Sequence, residues 1–205
     1  MRREQAELRR ALSHAQRRLD RFVAQHRIDW RDLTVIEPAL DEVALHARAL
    51  AAAYSDPRNA PLLGHAEPLV EADVLEHYEH LLDAGARPFL LLRDGALAGD
   101  ADLRHLTGGS AEFAFLIADP GAQGKGLGTR FATMIHAFAF GPLALTELYA
   151  SVIPVNTASR RVFDKLGYLP DTRPVDPGDI ALAISRETFT ARHAQEMAEI
   201  RIAVR

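Results

Sequence analysis

The sequence predicts a mixed α/β (α+β) domain: a mostly antiparallel, twisted sheet flanked by helices, with one more helix at the N-terminus. Three observations carry that class. After Gly85, apolar runs alternate with tight-turn dipeptides, the pattern of an antiparallel meander. Before it lie two segments with apolar residues at helical period, and after it the order turns to helix, strand, helix, strand. The chain has 205 residues and 48% hydrophobic content, enough for one substantial core.

Leu8, Leu12, Ala15, Leu19 and Phe22 make one apolar stripe, which predicts a helix over residues 3–27 that either docks on the body or pairs with a second copy as a homodimer. LTVIEP (33–38) reads as a short strand closed by proline. DEVALHARALAAAY (41–54) and EADVLEHYEHLLD (71–83) read as amphipathic helices, and the proline-rich loop between them is long enough to suggest a function. Two strands follow around the hairpin signal Asp94-Gly95, and AEFAFLIAD (111–119) supplies a third after the TGGS turn. Leu127, Phe131, Met134, Ile135 and Phe138 mark the buried stripe of a helix stopped by Gly141-Pro142. TELYASV (146–152) is a strand, Asn156 to Gly167 bounds a helix, and DIALAISR (179–186) is the last strand before a polar, helical tail. The expected division is a helical extension over 1–30, a domain over 31–186 and a tail over 187–205.

Net charge is −4, with nine arginines against four acids in residues 1–31 and fifteen bases against twenty-four acids thereafter. A basic arm on an acidic body does not suit nucleic acid, which calls for a basic folded face. No apolar run approaches the ~20 residues of a membrane span, and the absence of cysteine removes disulfides and thiolate chemistry. The expectation is a cytoplasmic protein with no nucleic-acid or membrane partner.

GAQGKGLGTR (121–130) places four of thirteen glycines, and one of only two lysines, where a strand turns into a helix. Such a turn presents backbone N–H groups and the positive end of a helix dipole to an anion, with Lys125 adding charge at the rim. The loop fits neither G-x-x-x-x-G-K-[ST] nor G-x-G-x-x-G; it spells Q-x-x-G-x-G at Gln123, Gly126 and Gly128.

With this loop, and with ASVIPVNTASRRVFDKLGY about thirty residues downstream holding Asn156, Ser159, Lys165, Gly167 and Tyr168, the chain resembles the GNAT superfamily of acyl-CoA-dependent N-acetyltransferases from about residue 31 to 186. Its N-x-x-S-R-R and L-A-G-D-A-D-L-R stretches are most similar to the branch of ribosomal-protein N-terminal acetyltransferases and their small-amine relatives. The resemblance implies acetyl-CoA as cosubstrate, no metal, and a primary amine of a small molecule or peptide N-terminus as acceptor. It implies a sheet splayed at the cofactor site, with main-chain groups of Leu116, Ile117 and Ala118 pairing with pantetheine. It places the pyrophosphate at Gln123, Gly124, Lys125, Gly126, Leu127, Gly128 and Thr129, and Asn156 and Ser159 against the pantetheine arm, although Asn156 could equally serve as a helix cap.

An ammonium acceptor must lose a proton before attack, so a carboxylate near the thioester is needed. Glu112 matches the base position of histone-type members, and its place between Phe113 and Phe115 suggests apolar surroundings; the alternative is an inert residue at a strand start. Asp100, Asp102 and His105 are rivals. Another branch places a glutamate where this chain has Ser151. Many members place a tyrosine, the donor to the leaving thiolate, where this chain has Phe163, and Ser159 one helical turn earlier is the candidate to stabilise that thiolate. His77 and His80 have a conceivable metal spacing without further ligands. A non-catalytic acyl-CoA-binding module, or the same fold with a longer acyl group, are the other readings.

Overall fold

The computed structural model describes residues 25–63, 67–118 and 124–205. Most of the expected helix over 3–27 lies outside the described residues, as does Gln123.

Nine strands form one open sheet: β1 (His26–Trp30), β2 (Leu33–Ile36), β3 (Arg87–Arg93), β4 (Ala96–Thr107), β5 (Ser110–Ile117), β6 (Glu147–Val152), β7 (Leu169–Pro170), β8 (Ile180–Ser185) and β9 (Arg201–Val204). Among the described residues seven helices accompany them: α1 (Leu40–Tyr54), α2 (Ala60–Leu63), α3 (Glu71–Asp83), α4 (Leu127–Phe140), α5 (Thr157–Leu166), α6 (Arg186–Arg192) and α7 (Ala194–Glu199). The sheet order is β7-β8-β6-β5-β4-β3-β2-β1-β9. Every neighbouring pair is antiparallel except β5 with β6.

The meander forms where its turns predict it. Asp94 and Gly95 take φ of 49° and 77°, and Gly108 and Gly109 take 57° and 85°, so both two-residue connections have the positive dihedrals that match the twist of the flanking strands. The apolar stripe of α4 packs on one sheet face, with Phe131, Met134, Ile135 and Phe138 buried against Phe89, Phe113 and Leu148. Each such burial contributes about 1.5–3 kcal/mol. On the other face α1 and α3 bury Val43, Leu50, Val74 and Tyr78 over Leu90. The two faces therefore carry separate cores, and chemistry along the middle strands can address either one.

Two boundaries differ from expectation. His26 and Arg27, assigned to the end of a helix, belong to β1, and residues 26–30 are part of the sheet rather than of an extension. The C-terminal tail is helical only through Glu199; Arg201–Val204 then pairs with β1 as the edge strand. β1 also pairs with β2 in a tight hairpin, whereas β9 forms because β1 supplies its main-chain partners, a non-local pairing that local periodicity does not report.

Helix α4 is buried nearly all round. His136 is fully buried, its Nδ1 lying 2.7 Å from the Ala132 carbonyl and its Nε2 2.7 Å from the Tyr168 hydroxyl. Since a carbonyl can only accept, Nδ1 carries the proton and Nε2 accepts from Tyr168. Burial pushes this imidazole down to about 3, so it stays neutral.

Candidate active site

The site begins with a strand that loses its neighbour. β5 pairs with β6 only at Ser110–Glu147, Ala111–Leu148 and Glu112–Tyr149. Beyond Tyr149, β6 continues against β8, while β5 runs on against β4 alone. The two strands thus part after Glu112, and a cleft of about 860 Å³ opens between and above them. Ala118 N donates to Ala98 O at 2.8 Å. By strand alternation, Leu116 and Ala118 therefore turn their peptide groups to β4, while Phe113, Phe115 and Ile117 turn theirs to the side β6 leaves. Of the residues expected to meet pantetheine, Leu116 and Ile117 line the cleft.

The parted strand leads to the N-terminus of α4. Gly124 and Gly126 have φ of 78° and 81°, and a Cβ at either would meet nothing within 4 Å. These glycines serve the left-handed backbone and keep the space in front of the helix open. The first intrahelical bond runs from Arg130 N to Gly126 O, so helix geometry leaves the amides of Leu127, Gly128 and Thr129 pointing out of the helix end. Gly128 has a different purpose: a Cβ there would lie 3.2 Å from Phe115 and 3.5 Å from Val162, so it lets α4 close on β5 and α5. Lys125 is exposed at the rim, and Lys165 faces the cleft from the end of α5. A strand edge that β6 has left, outward amides and two lysines fit a pantetheine arm followed by a pyrophosphate.

On the opposite wall Asn156 caps α5, its Oδ1 accepting from Ser159 N at 3.0 Å. The capping reading holds for that oxygen, and the side-chain amide remains to face the cleft. Asn156→Ala should therefore cost about 1 kcal/mol of stability in thermal denaturation, the usual worth of a lost cap. Ser159 lines the cleft. Phe163 is buried among Phe113, Phe115 and Tyr168, with ring centroids at 6.3, 6.0 and 4.8 Å.

The even-numbered residues of β4 and β5 share the face that lies toward α1 and α3, and that face is acidic. Asp100, Asp102 and Glu112 all line the cleft. Phe113 and Phe115 stack on each other at 5.5 Å on the α4 side. The apolar surroundings expected for Glu112 do not exist, because residues adjacent along a strand point to opposite faces. Glu112 instead meets Arg104 Nε at 3.7 Å and His105 Nδ1 at 3.0 Å. His105 reaches it from a left-handed position, φ 53°, where the register between β4 and β5 shifts.

Asp100 is held from above: the hydroxyls of Tyr54 (α1) and Tyr78 (α3) both donate to its Oδ2, the latter at 3.2 Å. Burial pushes this carboxyl up to about 7; the Tyr54 hydrogen bond opposes that, and the charge of Asp102 adds to it. The folded state therefore keeps a proton that the unfolded chain releases near pH 4. Stability should fall as pH rises from about 4 to about 7, and Asp100→Asn, which keeps an acceptor for the phenols, should flatten that slope in urea titrations across pH.

His77 and His80 are both exposed, and His77 lines the cleft in ring contact with Tyr54. Among the described residues no three His, Asp or Glu side chains are placed to hold a metal ion, and no helix is long and apolar enough to cross a membrane. Sequence reading missed the two tyrosines on Asp100. It also missed Asp179, whose Oδ2 accepts from the Ser151 hydroxyl at 2.7 Å and so brings a carboxylate beside the position where another branch carries glutamate.

A family model described as an acetyltransferase (GNAT) domain matches residues 36–169. Spermidine N(1)-acetyltransferase of Escherichia coli (strain K12) is 35% identical over 92 residues, 44% of this chain and 49% of that protein. The chain thus spans about half the length of the curated relatives it matches. Among solved structures, aminoglycoside acetyltransferase AAC(6')-Ib in complex with coenzyme A is similar with a TM-score of 0.67 at 20% identity, covering 78% of this chain and 98% of that one. Mycobacterium smegmatis RimJ in complex with CoA-disulfide gives 0.64 at 18% identity, covering 86% and 94%. These likenesses show the fold, and the family model takes in both walls of the cleft. A sheet parted at β5 and β6, a glycine turn into α4 and a match across 36–169 agree: the chain belongs to the GNAT acetyltransferase family.

Proposed function

We propose that this chain is an acetyl-CoA-dependent N-acetyltransferase that passes the acetyl group directly to a primary amine. The observation that carries the reading is the departure of β6 from β5 after Glu112, which leads an open strand edge straight to the N-terminus of α4. Main-chain groups of Phe115 would hold the pantetheine as an added strand, and the amides of Leu127, Gly128 and Thr129 would hold the pyrophosphate. The acetyl carbonyl then lies toward Glu112, where the strands meet, and the acceptor enters over the acidic face under α1 and α3.

That face favours a small cationic amine over a protein N-terminus. Carboxylates attract a protonated acceptor and orient it for proton loss. The relatives named for spermidine and for aminoglycosides support the same class. The Ser159 hydroxyl would hydrogen-bond the departing sulfur in place of a phenol, since Phe163 cannot donate. A thiolate of pKa near 8.5 leaves without full protonation, so Ser159→Ala should lower turnover tenfold or less, with coenzyme A affinity unchanged by calorimetry.

The test is thiol release from acetyl-CoA with polyamines, aminoglycosides and peptides bearing free N-termini. Release with cationic small amines supports the reading. Tight coenzyme A binding without release for any amine would instead make the chain a non-catalytic acyl-CoA-binding module.

A further inference from the structure

Asp102 sits on the cleft face of β4 with a side chain only 13% exposed. Its Oδ1 is buried and has no hydrogen-bond partner, and neither has Arg104 Nε, although the two lie 3.2 Å apart as an ion contact. Glu112 approaches the same Nε at 3.7 Å and has His105 on its other oxygen. A buried carboxylate oxygen without a donor is unfavourable unless a ligand brings one. Asp100, one residue pair along the strand, already receives two phenols. Of the three carboxylates on this wall, Asp102 is the one with an orphaned oxygen.

The structure assigns Asp102 as the group that accepts the proton of the acceptor's ammonium, with Glu112 as the neighbouring charge that keeps it basic. This rests on the N-acetyltransferase reading. The groups around it are Asp100 and Arg104 on its own strand, Glu112 on β5 and His105 at the hairpin, with Tyr54 and Tyr78 on the helices above. Burial pushes its carboxyl up to about 6; Arg104 opposes the shift and Glu112 reinforces it. A base poised there is ionised at neutral pH and still takes a proton readily. In the step, one ammonium proton moves to Asp102 and later to solvent. The freed nitrogen lone pair forms the C–N bond, the C–S bond breaks, and the second nitrogen proton goes with the thiolate.

The test uses two probe amines, spermidine and the weakly basic trifluoroethylamine, which is neutral at pH 7 and needs no base before attack. Asp102→Asn should lower kcat/KM for spermidine by about 100-fold or more, within the range for a lost general base, and for trifluoroethylamine by less than about tenfold. Coenzyme A affinity should not change. In the pH profile with spermidine, the acid limb should vanish in Asp102→Asn, whereas Glu112→Gln should only move it to lower pH. Equal penalties for both amines would make Asp102 a structural residue, and a limb lost in Glu112→Gln but kept in Asp102→Asn would return the role to Glu112. A folded wild type that releases no thiol with these amines, with aminoglycosides or with peptides overturns the enzymatic reading and this assignment together; a wild type active with spermidine separates the two.

Discussion

Gly126→Val is expected to lower coenzyme A affinity by two orders of magnitude or more while leaving the protein folded. Gly126 has φ 81°, a conformation that a β-branched residue adopts at a cost of about 1–3 kcal/mol. No atom stands within 4 Å of a Cβ placed there, so the substitution meets no clash in the free protein and leaves the packing of the cores in place. The isopropyl group would nevertheless project into the space before the first turn of α4, where amides of Leu127 to Thr129 point outward. An anion would have to retreat from those amides, and the loss of charge-assisted hydrogen bonds accounts for the affinity change. Calorimetric titration with coenzyme A, beside a melting curve, reads both effects. Gly128→Val should behave differently. A Cβ placed there would press on Phe115 at 3.2 Å, so the larger residue must push α4 off β5 and lower the melting temperature as well. Unchanged affinity in a folded Gly126→Val protein would put the pyrophosphate elsewhere.

The elements that the sequence announces are those governed by local chemistry. Asp94-Gly95 turns the first hairpin because both residues must take positive φ, the α4 stripe buries because its period is helical, and Asn156 and Gly167 bound α5 as cap and left-handed stop. What stayed hidden is long-range. β9 exists through its pairing with β1, from Asp29–Arg201 to His26–Val204, and HRIDW and RIAV are too short and too charged to signal strands alone. The parting of β5 from β6 is a property of main-chain pairing, and no side-chain pattern encodes it. Tyr54 and Tyr78 reach Asp100 across 46 and 22 residues, so a carboxylate that looks exposed in an alternating strand is enclosed by two helices. The environment of Glu112 was different: strand alternation already placed Phe113 and Phe115 on the far face, and the polar surroundings could have been inferred from period alone.

Gly99→Ala should be the most damaging single-methyl substitution in the cofactor strand pair. At the β3–β4 step the register moves from Leu91–Gly99 to Leu92–Leu97, so Ala98 is bulged and Gly99 sits where β4 bends. A Cβ on Gly99 would lie 2.0 Å from the Leu116 carbonyl oxygen and 3.1 Å from Ile117 Cα, both main-chain atoms of β5. No rotamer relieves that contact; β5 itself must move, and it is the strand proposed to receive the pantetheine. The cost should reach about 3 kcal/mol, in the range of core overpacking, which for a chain of this size lowers the melting temperature by roughly 10 °C. Coenzyme A affinity should fall in the same variant, because displacing Leu116 and Ile117 spoils the edge that continues from them. Gly95→Ala supplies the comparison. That glycine has φ 77° with nothing near its Cβ, so alanine there should cost only about 1 kcal/mol and leave coenzyme A binding intact. If Gly99→Ala matches Gly95→Ala in both melting temperature and affinity, the close approach of β4 to Leu116 does not hold the cofactor edge in place.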